Sequence, residues 1–273
     1  MIKKAIKQAR KAHPPATKTY DERYVAFVDI LGFSSIVDRS QTDELLVSNL
    51  SAALEGISRR AHHARSAALQ MEATAFSDTV VLSVPTTPEG LSHMLQTIAD
   101  LSADLLSLNM LFRGAIVKGK LLHTTDAIFG PALIAAYKLE TNVSFHPRIM
   151  VSSEVYQDAA SSAFSSKRLI PKHIVADPHD VPYLNLFAKW DGVSGEWLSE
   201  AIQMLTTLQG IIAAGLIDNA ASPPIAEKYK WIARKLNGFV RKYGLRDRIS
   251  EIPLDADPIA SAPSTTPARK KSS

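Results

Sequence analysis

Apolar positions along this chain change their period several times, and each change marks an element. Residues 23 to 31 form a nearly unbroken run of Val, Ile, Ala and aromatic residues closed by Gly32, which predicts a core strand. From residue 40 to about 64 the period becomes helical. Leu45, Leu46, Leu50, Ala53, Leu54 and Ile57 recur at three- and four-residue spacing, with Ser40 or Thr42 as the expected N-cap. Two short strand-like runs, 71–76 and 79–84, meet at Ser77-Asp78 and predict a hairpin. Thr87-Pro88-Glu89 then opens a second helix with a cap, a first-turn proline and an acid.

Further on, residues 111–122 read as a strand pair, 131–140 as a short helix, 148–152 as a strand and 182–187 as a last strand. The order β-α-β-β-α-β predicts an α+β domain of the ferredoxin-like class, a mixed sheet with helices packed on one face. After Trp190 the pattern turns helical over 197–217 and 225–243, split by Ser222-Pro223-Pro224. The expected organisation is a basic segment at 1–19, a main domain at 20–190, a helical extension at 191–254 and a disordered tail at 255–273.

Composition narrows the classes. The chain has 273 residues, 46% of them hydrophobic, and no cysteine, so disulfide frameworks, thiolate zinc sites and cysteine nucleophiles drop out. The net charge of +4 is unevenly spread: residues 1–18 carry +6 and residues 255–273 carry +1, which leaves the body at −3. That distribution argues against a nucleic-acid surface on the domain, and the basic face of the last helix reads as solvated. The basic start runs into His13-Pro14-Pro15 instead of an apolar signal core, and a cytoplasmic location is expected. Residues 201–217, with Gln203, Thr206, Thr207 and Gln209, fall short of the roughly 20 strongly apolar residues of a span, so a buried or interface helix is expected and no direct membrane insertion.

Candidate chemistry centres on two acids. Asp29 places a carboxylate inside an apolar strand, where it needs a cation, donors or exposure, because burying it unpaired costs several kcal/mol. Gly32, just after it, lets the backbone turn tightly into a helix whose free N–H groups suit an anion. Asp78 sits in the hairpin turn, where Asp is common for conformational reasons alone. In a β-α-β-β unit, however, the end of the first strand and the hairpin turn can converge. Asp29, Asp78 and the carbonyl of Ile30 would then form an oxygen set suited to Mg²⁺ or Mn²⁺. His62 and His63 are adjacent and point to different helix faces, so they do not chelate one ion. Lys167, Arg168 and Lys172 are within the domain's basic inventory, and no spacing singles one out.

Four segments taken together carry a resemblance: F-V-D-I-L-G-F-S, then S-D-T-V-V-L with its Asp 49 residues after the first, then R-G-A-I-V-K-G, then F-G-P-A-L-I-A-A-Y-K-L-E. Over about residues 20–190 the chain resembles the class III nucleotide cyclase catalytic domain, and the combined pattern with its helical extension is most similar to the pyrimidine nucleotide cyclases of bacterial anti-phage signalling (Pycsar). The resemblance implies that Asp29 and Asp78, with the Ile30 carbonyl, bind two divalent ions, Mn²⁺ or Mg²⁺. It implies that Ile30, Leu31, Gly32, Phe33 and Ser34 hold the triphosphate. The positions of the family's purine selectors are Thr74 and Ala127 here, which lack the usual charge and bulk. Its transition-state Asn and Arg would fall at Ile134 and Lys138, leaving Arg113, Tyr137 and Lys138 as candidate catalytic residues.

The implied activity is conversion of UTP, or alternatively CTP, to a 3′,5′-cyclic monophosphate read by a separate effector in antiviral defence. A purine cyclase with divergent base selection and a catalytically silent nucleotide sensor are the other readings. The implied assembly is a homodimer with sites at the interface.

Overall fold

The computed structural model describes residues 19–64, 68–143, 145–167, 169–176 and 180–254. Residues 1–18 of the basic segment expected at 1–19, Arg168 and the tail at 255–273 lie outside the described residues. Two compact units divide between Ala201 and Ile202.

The first unit is built on β1 (Asp21–Ile30), α1 (Phe33–Ser40), α2 (Glu44–Ala64), β2 (Glu72–Phe76), β3 (Thr79–Pro85), α3 (Pro88–Ser107) and β4 (Phe112–His123). Then come β5 (Ile128–Phe129), α4 (Pro131–Val143), β6 (Ile149–Val151), α5 (Ser153–Ala160), β7 (Ile174–Val175) and β8 (Tyr183–Leu184). The sheet runs β2-β3-β1-β4-β6-β8-β7, with β5 paired to β4 at its end. Its first four strands lie in the ferredoxin-like order and pair antiparallel, and β6 joins β4 in parallel. The α+β class expected from the pattern is the architecture found.

Three boundaries differ from the expectation. The helix expected from Ser40 or Thr42 is two helices: Ser40 ends α1, and Asp43 opens α2 by accepting from the Leu46 amide at 3.0 Å. The expected strand pair at 111–122 is one strand, because β4 stays in register with β1 from Phe112↔Ile30 to Leu121↔Asp21. Gly114 makes that approach possible, since a Cβ there would lie 2.2 Å from the Phe27 carbonyl oxygen. The last strand, expected over 182–187, stops at Leu184, where Asn185 Oδ1 accepts from the Phe187 amide and turns the chain.

Helices cover both faces of the sheet, not one. On one face α4 sets Ala132 and Ala136 against Val25, Val81, Ala115, Val117 and Met150. On the other, Gly90 brings α3 against Val84, and the Tyr24 hydroxyl, opposite Val84, donates to Asp158 of α5 at 2.7 Å. Tyr24, Val25 and Ala26 are all fully buried, which is why β1 reads as a continuous apolar run instead of an alternating one.

The second unit contains most of α6 (Glu196–Asp218) and α7 (Pro223–Lys242). The helix expected over 197–217 is found one residue longer at each end. At 23 residues, α6 is the one helix among the described residues long and apolar enough to cross a membrane by length and composition. Within this unit Gly215 lies against the Tyr229 ring, Gln209 Nε2 donates to the Ser250 carbonyl at 2.6 Å, and buried Asn237 pairs both of its amide atoms with Ile252.

Candidate metal and nucleotide site

Strand β1 ends with Asp29 facing two neighbours. Its register partners are Thr79 on β3 and Arg113 on β4, and directly paired residues in an antiparallel ladder share a face. Thr79 Oγ1 donates to Asp29 Oδ1 at 3.2 Å, and Arg113 Nε lies 3.9 Å from Asp29 Oδ2. The next residue closes the gap to the hairpin. The Ile30 amide donates to the Asp78 carbonyl at 3.2 Å, so the end of the first strand and the Ser77-Asp78 turn converge as the element order suggested. Ser77 takes the left-handed conformation that makes this turn tight.

Charge at this point is unbalanced. Glu140 reaches in from α4, almost fully buried, and makes ion-pair contact with Arg113 without hydrogen-bond alignment. Glu140 Oε2 also accepts from the Thr141 hydroxyl at 2.9 Å. Asp29 and Glu140 therefore share one guanidinium, and the Asp78 charge also bears on Asp29. Burial raises the Asp29 carboxyl from its ordinary value near 3.8 to about 6, with the Asp78 and Glu140 charges adding to it and the Thr79 and Arg113 contacts opposing. Partly buried oxygen donors with uncompensated negative charge are what a hard divalent cation requires. Among the described residues no group of three or more Asp, Glu, His or Cys side chains could hold an ion. An ion here would be held by Asp29, Asp78, main-chain oxygen such as that of Ile30, and water or ligand oxygens, as Mg²⁺ commonly is.

Beside the acids, the chain turns through Leu31 and Gly32 into α1. Gly32 has φ of 73° with open space where a side chain would be, so conformation and not crowding calls for glycine. No side chain caps α1, and the amides of Phe33 and Ser34 at its start have no partner within the helix.

Of the other expected residues, Arg113 lies beside Asp29, while Tyr137, Ile134 and Lys138 are spread along the exposed side of α4. Tyr137 is half exposed on α4 and sets its ring edge-on to Phe27, centroids 5.9 Å apart. Ile134 and Lys138 line a shallow cleft with Tyr20, Phe129, Pro131 and Ala135. Tyr20 precedes β1 and Asp29 nearly ends it, so this cleft sits towards the opposite end of that strand. One chain does not bring Lys138 to the aspartates. Arg113, expected as a cation for phosphate, is engaged by Glu140 and Asp29, and Lys167 pairs with Glu89 at 3.1 Å. Thr74 Oγ1 lies 3.0 Å from His123 Nε2, and His123 pairs with Ile128, next to Ala127.

Three residues of this region carry no assignment from the sequence alone: Thr79, Glu140 and His123. Glu140 had a readable signal, since it follows Ala132 and Ala136 at four-residue spacing on the buried side of α4, where an acid is out of place. Thr79 and His123 had none, because their partners come from other strands.

No protein-family model matches the sequence, and no curated protein matches it. Among solved structures, the chain is similar to a bacterial light-regulated adenylyl cyclase, with a TM-score of 0.44 and 15% identity, covering 76% of this chain and 67% of that one. It is similar to adenylate cyclases of Trypanosoma brucei (TM-score 0.43, 12% identity, 65% and 92% covered). A third is the guanylyl cyclase domain of the RhoGC fusion protein from the aquatic fungus Blastocladiella emersonii (0.41, 16%, 61% and 94%). Likeness at this level does not decide an activity; the residues of the site have to carry it.

Proposed function

We propose that this protein is a nucleotide cyclase of the class III type that converts UTP to 3′,5′-cyclic UMP and pyrophosphate. The observation that carries the reading is the meeting of Asp29 and Asp78 through the Ile30 amide, next to the uncapped start of α1. In the reaction the ribose 3′-oxygen attacks the α-phosphorus, the bond to the bridging oxygen of the β-phosphate breaks, pyrophosphate leaves and the 3′-hydroxyl proton is released.

Asp29 and Asp78 hold the divalent ions, Mn²⁺ or Mg²⁺, with Ile30 supplying main-chain oxygen. When bound, such ions acidify a hydroxyl and offset charge on phosphate oxygens. The amides after Gly32 orient the polyphosphate, and Arg113, held by Glu140, fixes the position of Asp29. Lys138 and Tyr137, on the exposed side of α4, supply the cation and an aromatic contact to a site on a second copy in a homodimer. Thr74 and Ala127, small and uncharged, leave room for a pyrimidine without the charged selector a purine site uses. The product is a diffusible messenger for a separate effector in anti-phage defence.

The test is to incubate the protein with each of the four ribonucleoside triphosphates and Mn²⁺ and to separate the products. Cyclic UMP from UTP is expected, and Asp29→Ala and Asp78→Ala should each lower turnover by about 10²-fold or more, since even groups behind a metal ligand cost 10- to 100-fold. Cyclic CMP as the sole product would reassign the base, and cyclic AMP or cyclic GMP would end the pyrimidine reading. Ile134, an alkyl side chain where an amide would contact ribose, favours a second reading as a silent nucleotide-binding module. Turnover that depends on both aspartates rules that reading out.

A further inference from the structure

On the sheet face that carries Asp29, a chain of polar side chains crosses four strands. Arg23, buried near the start of β1, donates from Nε to Ser83 Oγ at 2.9 Å and from Nη2 to the carbonyls of Gln70 at 2.5 Å and Ser83 at 3.1 Å. Ser83 Oγ is 2.8 Å from His123 Nδ1, and His123 Nε2 is 3.0 Å from Thr74 Oγ1. Arg23, Ser83 and His123 are buried, whereas Thr74 at the end of the chain is partly exposed. Through its pairing with Ile128, His123 also adjoins Ala127, so one imidazole links the two positions where a base selector is expected.

Proton counting gives these bonds a direction. A guanidinium only donates, so Ser83 Oγ accepts from Arg23. Ser83 is fully buried and its own hydroxyl proton needs an acceptor; the side-chain acceptor within reach is His123 Nδ1. Nδ1 therefore carries the lone pair, Nε2 carries the proton, and Nε2 donates to Thr74 Oγ1. With that oxygen already accepting, the Thr74 hydroxyl keeps its own proton available to donate to a ligand.

We infer that Arg23, Ser83 and His123 set Thr74 as a hydrogen-bond donor, and that this polarity selects a base presenting a carbonyl at the edge it meets, uracil over cytosine. The inference rests on the pyrimidine cyclase reading and sharpens it. Uracil O4 accepts the Thr74 proton. The cytosine amino group at the same place is itself a donor, and seating it would leave the Thr74 proton unpaired, the kind of mismatch by which polar sites reject analogues. His123, Ser83 and Arg23 act through Thr74 and are positioning residues.

Binding of 3′-deoxy-UTP and 3′-deoxy-CTP, which lack the attacking oxygen, measured calorimetrically on the full chain with Mn²⁺, separates base reading from catalysis. The expected preference for the uridine analogue is roughly tenfold, the worth of about one hydrogen bond. Thr74→Val, nearly the same shape without the hydroxyl, should bring the two affinities within about twofold, while Thr74→Ser keeps the preference. His123→Gln, which can accept from Ser83 and donate to Thr74, should also keep it, and His123→Leu should lose it while the folded fraction, checked by circular dichroism, holds. An unchanged ratio in Thr74→Val, or a wild-type preference for the cytidine analogue, overturns the inference. A uridine preference that Thr74→Val abolishes, without turnover of any nucleotide, supports it and sinks the catalytic reading alone. Turnover of UTP and CTP with equal binding of both analogues does the reverse.

Discussion

A carboxyl group held at about 6 on a sheet face weakens the fold at the pH where it would work. For Asp29 the folded value lies above the ordinary 3.8, so its contribution to stability is fully present below the unfolded value and is lost as pH rises through about 6. Burial and the charge of Asp78 are the causes, and a divalent ion relieves both. The metal-free protein is therefore expected to gain melting temperature on Asp29→Asn at pH 7.5, by an amount that shrinks towards pH 4. Added Mn²⁺ should raise the melting temperature of the wild type more at pH 7.5 than at pH 5, and should not do so in the variant. Scanning calorimetry over that range reads both; a Mn²⁺ shift independent of pH would remove Asp29 from the ligand set. His173 works in the opposite sense. Burial, helped by Lys172, depresses its imidazole from 6.5 to about 4, so its neutral form stabilises the fold above the unfolded value and that contribution is lost as pH falls through 4. Replacing it with Gln should flatten the acid side of the stability profile between those values. Asp29 was legible because a charge inside an apolar run has to be explained, and the same logic, not used there, would have singled out Glu140 on α4. His123 was not legible, because its partners Ser83 and Thr74 come from strands far away in the chain, and nothing around His173 announced that it is buried.

Elements were readable where one signal was local and unopposed. The Thr87-Pro88 cap of α3 and the turn at Ser77-Asp78 fall where propensity places them, and the Thr87 hydroxyl accepts from the Gly90 amide at 3.1 Å. Failures came where pairing overrode local cues. The strand pair expected over 111–122 is the single strand β4, in which Gly119 sits opposite Arg23 within ten register pairs with β1. The stretch after α7 shows no apolar period to announce that it is ordered. Asn237 orders it, giving Nδ2–H to the Ile252 carbonyl and taking the Ile252 amide at 2.9 Å each, inside a buried setting. Asn237→Ala strands two buried main-chain groups and should cost about 2–3 kcal/mol in the second unit. Hydrogen exchange at the Ile252 amide is the local readout: exchange as slow as in the wild type would mean that other groups hold this segment.

At the scale of the whole molecule, the main consequence is that one chain does not bring together all the groups that the proposed reaction uses. The aspartate pair lies at one end of β1, and the cleft with Lys138 and Ile134 lies towards the other, beside Tyr20. Phe129 and Ile134 in the cleft, Tyr137 on α4 and Phe76 beside the Ser77-Asp78 turn are all substantially exposed. If two copies complete each other's sites, their defects should complement. Asp29→Ala alone and Lys138→Ala alone should each be inactive or nearly so. In a mixed dimer of the two, one site combines both defects and the other combines an intact Asp29 with an intact Lys138. Mixing equal amounts and allowing exchange makes about half the dimers mixed, with one working site in two, so turnover should return to about a quarter of wild type. Sites complete within one chain predict no recovery at any mixing ratio, because every chain in the mixture carries a defect. Recovery that follows the fraction of mixed dimers, measured by native mass spectrometry on the same samples, is the quantitative form of the test. Recovery without mixed dimers would point to contamination by wild-type chain and not to shared sites.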